Sequence, residues 1–347
     1  MDPRKTRKYY LDILKIIATY AVVVVHTCTV VWGGMDKSLS AWKQITVFIG
    51  ISKWPVQIFM MVTGVLFLGK EHDLKKIYTR YIPRMITALL FWSLLYVCLF
   101  EAKDASPLFF LYLVLKGYDH LWYLWMLVGF YMLLPFITPI AADKKKTEYF
   151  LILAYIFGIL IPRIITLGGF TMPDKMAYVK VIFDKLELSM VMGYPFYFFL
   201  GHYLDGIDTD AVKRRVIYLL GIAGALFTVF GTFWVSNFIG APAPVLFDLS
   251  TNTLLMSIAV YVFVRQLVSG KEFKDKTKKV IEILSKYSFG VYLTHMLVIA
   301  IFANFGLTAS AFIPVITVPL LTLAVFIVSY LLSALINNIP ILKKYIV

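Results

Sequence analysis

The sequence predicts an all-α polytopic membrane bundle. Three observations carry that reading: ten apolar runs long enough to cross a bilayer, loops between them that alternate between cation-rich and cation-poor, and no polar segment long enough to form a separate domain. Of 347 residues, 60% are hydrophobic and 16% charged, whereas soluble domains sit nearer 45–50% and about 25%. We read 1–347 as a single integral-membrane domain.

A helix needs about 20 apolar residues to span the hydrocarbon. In chain order the runs are 9–32, 45–68, 81–101, 121–141, 149–168, 189–205, 216–239, 248–268, 287–306 and 312–337. The first follows a basic N-terminus, as a signal peptide would. Its apolar run is too long for that, and no small-residue cleavage site follows, so it reads as retained. An eleventh run, Pro107 to Leu115, is too short to span and reads as an interfacial or re-entrant helix. Segment 169–188, on the external side, is too short to be a domain.

The loops fix the orientation. With the N-terminus in the cytosol, the alternate segments on that side carry 23 Lys and Arg and the external ones 7, the other four of the 34 lying in or at the ends of spans. The positive-inside rule is thus met with ten crossings and both termini cytosolic. Counting 107–115 as a crossing would reverse every later loop. The net charge of +14 follows from this asymmetry and does not point to nucleic acid, and the setting is a plasma (inner) membrane. Cys28 and Cys98 both fall inside predicted helices with no CxxC and no Cys/His cluster, which indicates neither a disulfide framework nor a metal site. No inverted repeat of the kind many transporters carry relates the two halves.

The first span holds the informative pair. Lys15 and His26 are eleven residues apart, about three helical turns plus 20°, so they share a face and lie about 16 Å apart along the axis. An ionisable group inside a span costs about 3 kcal/mol on insertion scales, so two on one stripe imply a protein-lined or watery interior. The plain alternative is that Lys15 snorkels or pairs with Asp12 one turn away, while His26 bonds a neighbouring helix. Arg80 could be simple loop flanking, whereas Arg84 sits a turn deeper, where flanking does not require it. His120 and Trp122 open the fourth span, where interface aromatics are common. Ser288, Tyr292 and His295 fall at i, i+4 and i+7, a polar stripe that must face other helices or a cavity.

Five stretches taken together resemble the integral-membrane acyltransferase 3 family. Lys15, ten residues, then His26 is similar to its first-span signature. Pro55-Val-Gln-Ile-Phe59 through Thr63-Gly64 resembles its second-span pattern, with Thr where Ser is usual. Tyr78-Thr-Arg80-Tyr-Ile-Pro-Arg84 resembles the basic approach to span 3. His120-Leu-Trp122-Tyr-Leu124 with Phe130-Tyr131 through Pro135, and Tyr287-Ser288-Phe-Gly290-Val-Tyr292-Leu-Thr-His295, resemble two later motifs. The first-span cation is Lys, a point charge, where the family more often has Arg with its bidentate fork.

The resemblance implies an acetyl-CoA-dependent O-acyltransferase. Acetyl-CoA would bind from the cytosol with its phosphates near Lys15, Arg80 and Arg84, its pantetheine arm reaching through the bundle. His26 would act as general base, the kind of side chain whose unperturbed pKa lies near neutrality. The acceptor would be a hydroxyl of an extracytoplasmic glycan or lipid-linked envelope precursor, contacted by His120, Trp122, Ser288, Tyr292 and His295. Thioester cleavage drives such a transfer without ATP or a metal. The alternatives are a transporter or flippase whose ionisable residues mark a proton or anion path, and a non-catalytic assembly or sensory subunit that needs neither Lys15 nor His26.

Overall fold

A computed structural model describes residues 7–101, 105–188, 193–244 and 246–346. Among these the regular structure is entirely helical, and nine helices are long and apolar enough to cross a membrane. They are α1 (Tyr9–Trp32), a broken pair α2 (Ser40–Ile51) and α3 (Pro55–Phe67) that together count as one, α4 (Leu74–Glu101), α6 (Asp119–Ala141), α7 (Lys144–Gly168), α10 (Ala211–Ile239), α11 (Thr251–Val268), α12 (Asp275–Asn304) and α13 (Pro314–Asn337). Short helices α5 (Pro107–Lys116), α8 (Pro173–Asp184), α9 (Pro195–Asp205) and α14 (Pro340–Tyr345) fill the sequence between and after them.

Two departures from the expected spans have local causes. The run 45–68 is not continuous: Ser52-Lys53-Trp54 lies between the helices, because Pro55 lacks an N–H and disfavours helix in the residue before it. The expected span 189–205 begins in residues 189–192, outside the described set. The helix that follows, α9, has only 11 residues, about 16 Å, against a hydrocarbon core of about 30 Å. The run 107–115 does form a short helix, Pro107–Lys116, started by the Ser106 hydroxyl accepting from the Phe109 amide.

The lysine-rich helix starts share a device. Asp73, Asp143 and Asp210 each stand just before a Lys-containing first turn and accept backbone N–H groups there, which satisfies donors that the helix itself leaves open. The Lys213 amide holds the Asp210 carboxyl below its usual pKa. Two helices, α9 and α12, are tied to the start of α1. Lys8 pairs with Asp205 at 2.6 Å, Tyr9 donates to Glu282 at 2.8 Å, and Tyr10 donates to Asp205. Arg265 donates to the carbonyls of Leu204 and Ile207 on the same face.

Helix α1 is the hub, in contact with α2, α3, α11, α12 and α13. Most of its side chains are buried, including Leu14, Ala18, Val23 and Cys28. In lipid no hydrophobic force drives helices together, so small residues that allow close approach matter most. The tightest approach joins α3 to α9. A Cβ on Gly64 would stand 1.8 Å from the Phe198 carbonyl oxygen, and one on Gly201 2.1 Å from that of Met61. The Gly64 of the second-span motif is therefore a packing requirement.

Gly64→Val and Gly201→Val are each expected to destabilise the protein by at least about 2–3 kcal/mol through overpacking against backbone. Gly33→Val is the control, since a Cβ there meets nothing within 4 Å. Thermal unfolding in detergent checks this: the first two variants should melt well below the third.

Candidate functional site

The N-terminal part of α1 carries a charged knot. Asp12 is buried and accepts from Arg7 at 2.7 Å and from the Ser285 hydroxyl at 2.5 Å, with the Lys15 ammonium 3.0 Å away. An isolated charge at this depth would be costly, and paired, hydrogen-bonded charges are the tolerable form. The pairing expected between Asp12 and Lys15 is thus present, and it leaves Lys15 on the wall of a cavity.

That inner cavity, about 270 Å³, is lined among others by Lys15, Thr63, Arg84, Tyr123, Ser288 and Tyr292. Four residues singled out from the sequence (Lys15, Arg84, Ser288 and Tyr292) therefore meet on one surface. Arg80 does not line it. This residue is exposed on a π-helical turn, Ile77–Tyr81, one turn before Arg84.

A second cavity, about 390 Å³, lies toward the other end of α1. His26, Lys53, Gln57, Trp122, Tyr194 and Asp248 are among its lining residues. Lys53 pairs with Asp248 at 3.6 Å and lies 5.1 Å above the Phe247 ring. The Trp122 and Tyr194 rings are 5.2 Å apart. Arg163 donates to the carbonyls of Asp248 and Leu249, fixing the loop that carries the carboxylate. Aromatic faces beside a carboxylate, an amide and an ammonium suit a polar, hydroxyl-rich ligand.

No residue lines both cavities. Aromatic rings cluster on the wall of the inner cavity: Tyr123 is 6.1 Å from Phe59 and 5.8 Å from Tyr292, centroid to centroid, and all three line it. Trp122 and Tyr123, adjacent in sequence, face opposite cavities. Lys15 and His26, expected on one continuous passage, line two separate cavities.

Three histidines, from α1, α6 and α12, converge beside the outer cavity. His26 lies 5.1 Å from His295 and 6.3 Å from His120, and the latter two are 5.1 Å apart. His120 and His295 are both buried and neither lines a cavity. The Tyr292 hydroxyl donates to the His120 carbonyl, and Tyr96 donates to that of Leu293 at 2.8 Å. Among the described residues, no group of His, Cys, Asp or Glu is arranged to hold a metal ion.

The sequence reading missed Lys53, Asp248, Gln57, Tyr194 and Ser285. Ser285 was legible, since it extends the stripe of Ser288, Tyr292 and His295 by three residues. Lys53 carried a weaker signal, a cation inside an apolar run just before Pro55. Nothing local marked Asp248, which reaches the site from a loop distant in sequence.

A family model described as an acyltransferase domain matches residues 8–337. No curated protein matches, and no solved structure does.

Removing Asp12 would leave Arg7 and Lys15 side by side without their shared carboxylate. Asp12→Ala is expected to cost about 3 kcal/mol, as breaking a buried pair does, and Lys15→Ala distinctly less. Detergent melting temperatures of the two variants check the order.

Proposed function

The chain belongs to the integral-membrane acyltransferase 3 family, and from that membership we propose that it transfers an acetyl group from cytosolic acetyl-CoA to a hydroxyl on the external side. That it is a multi-pass membrane acyltransferase rests on the family and on the apolar helices. The donor, the base and the direction are our reading. One observation supports it above the others. Two cavities lie along α1, a cation on the wall of one and an imidazole on the wall of the other, and in this reading Tyr123 and Tyr292 of the inner wall are the partition between them.

In this reading the inner cavity takes the acetyl-pantetheine end of the donor. It is too small for the whole cofactor, so the nucleotide phosphates stay at its mouth, toward Arg84 and the exposed Arg80, with Lys15 deeper. The acceptor, a glycan or lipid-linked envelope precursor, enters the outer cavity between Trp122 and the Lys53–Asp248 pair. The thioester reaches it where the Tyr123 and Tyr292 rings yield. His26 takes the hydroxyl proton as the new C–O bond forms and the C–S bond breaks, then returns that proton to the departing thiolate. Such proton transfer contributes about 10²–10⁴-fold, and the reaction as written needs neither ATP nor a metal. Ser288 and Tyr292 contact the donor arm and Trp122 the acceptor, whereas His120 and His295, which line neither cavity, act through the residues that do.

Ten traverses of one membrane domain, with both termini on the cytosolic face of the plasma membrane, complete the proposal. Short α9 would be the end of the sixth, the crossing that the nine long helices lack. The pairing of Lys8 with Asp205 supports this, because it sets the end of α9 beside the start of α1, as does the cationic loop bias.

His26→Ala is expected to abolish acetyl transfer while the protein still inserts and keeps its melting temperature. Lys15→Gln and Arg84→Gln should each raise KM for acetyl-CoA about tenfold, Arg80→Gln less. Coenzyme A release and thermal stabilisation by acetyl-CoA read these effects. Full activity in His26→Ala ends the base assignment, and a protein that gains no stability from acetyl-CoA fits a transporter instead.

A further inference from the structure

The histidine cluster supports a reading that goes beyond His26 alone and rests on its assignment as the base. His295 Nδ1 lies 2.7 Å from the carbonyl oxygen of Tyr292 and 3.2 Å from that of Val291. A carbonyl only accepts, so Nδ1 carries the hydrogen and the neutral ring keeps a lone pair on Nε2. That Nε2 is fully buried and has no hydrogen-bond partner. Nδ1 is turned back onto the residue's own helix, which directs Nε2 away from that backbone, into the interior where the His26 and His120 rings each lie 5.1 Å off. A buried acceptor left unmatched is costly.

We infer that His295 is a positioning residue, whose Nε2 accepts an N–H from His26 and so selects the His26 tautomer that presents its other nitrogen to the acceptor hydroxyl. No hydrogen bond joins the rings in the resting geometry. Rotation of His26 about its Cβ–Cγ bond, a soft torsion, closes the gap. In the reaction His26 gains the hydroxyl proton while its other N–H stays with His295, which stabilises the imidazolium. His26 then gives that proton to the thiolate, and His295 ends with the protons it began with. This is the role a carboxylate plays behind a catalytic histidine elsewhere, here filled by a neutral imidazole. His120 is the competing partner, its ring as near to His295 as that of His26, but it lies farther from His26, at 6.3 Å, and is packed among Tyr96, Tyr118 and Tyr292. Other titratable groups on the His26 side are Lys53 and Asp248 across the cavity.

The test uses ¹⁵N-histidine NMR of the full-length protein in detergent, with the His26 resonances assigned by their loss in His26→Gln. The native His26 ring should show one tautomer, and His295→Leu a mixture. In native membranes with acetyl-CoA as probe, His295→Leu should lower kcat for coenzyme A release about 100-fold with KM within twofold. His295→Gln, whose amide oxygen can stand where Nε2 stood, should keep the single tautomer and recover at least a tenth of native kcat. If His295→Leu does not fold, the His295→Gln spectrum decides: one tautomer supports the role and a mixture overturns it. An unchanged His26 tautomer in His295→Leu overturns it. So does a raised KM at native kcat, which marks a substrate contact, or a mixture appearing in His120→Phe instead. Full activity in His26→Ala would remove the base assignment while leaving the tautomer result standing, so the two failures are distinguishable.

Discussion

Everything at this site depends on keeping ionised and polar groups at membrane depth without exposing them to lipid. Asp12 is where that is achieved: one buried carboxylate accepts from Arg7 and Ser285 and sits 3.0 Å from Lys15. Its partners reach it from the chain segment before α1, from α1 itself and from α12. The knot thus fixes how those helices lie against each other as well as neutralising charge. With Lys15 held there, helical geometry places His26 three turns on, on nearly the same face. The two cavities are then the spaces that the other helices leave along that face.

The bundle allows those spaces because α1 is wrapped by neighbours of unequal length. The break at Ser52-Lys53-Trp54 interrupts the α2–α3 pair and delivers an ammonium to the outer cavity. The backbone-to-backbone contact of α3 with α9 holds those two helices close, and it needs glycine at 64 and 201. Polar residues on the remaining helices turn inward for the reason α1's do. Ser285, Ser288, Tyr292 and His295 form one buried stripe, and the unmatched Nε2 at its end is the feature that implicates His295 in orienting His26.

Much of this was legible in the sequence because hydrophobic length and charge asymmetry are strong, one-dimensional signals in membrane proteins. The α1 pair, the α12 stripe and the short helix at 107–116 all follow from spacing along a single helix. What was not legible depends on two segments meeting in space. The convergence of His26, His120 and His295 could not be read, since they come from helices separated by about 90 to 170 residues of chain. Asp248 carried no local mark. Arg84 stood out from Arg80 in sequence by its depth, yet both are exposed, and what tells them apart is that only Arg84 lines the inner cavity. The break before Pro55 was available from the proline rule but was masked by the apolar run around it.

The central claim is that donor and acceptor occupy opposite ends of α1 and meet at the Tyr123–Tyr292 partition. A structure of the protein with coenzyme A bound tests it most directly. The account predicts phosphates near Arg84 and the thiol end in the inner cavity, pointing toward the partition and His26 beyond it. Coenzyme A density in the outer cavity beside Trp122 and Asp248, or on a surface remote from Lys15, would contradict it.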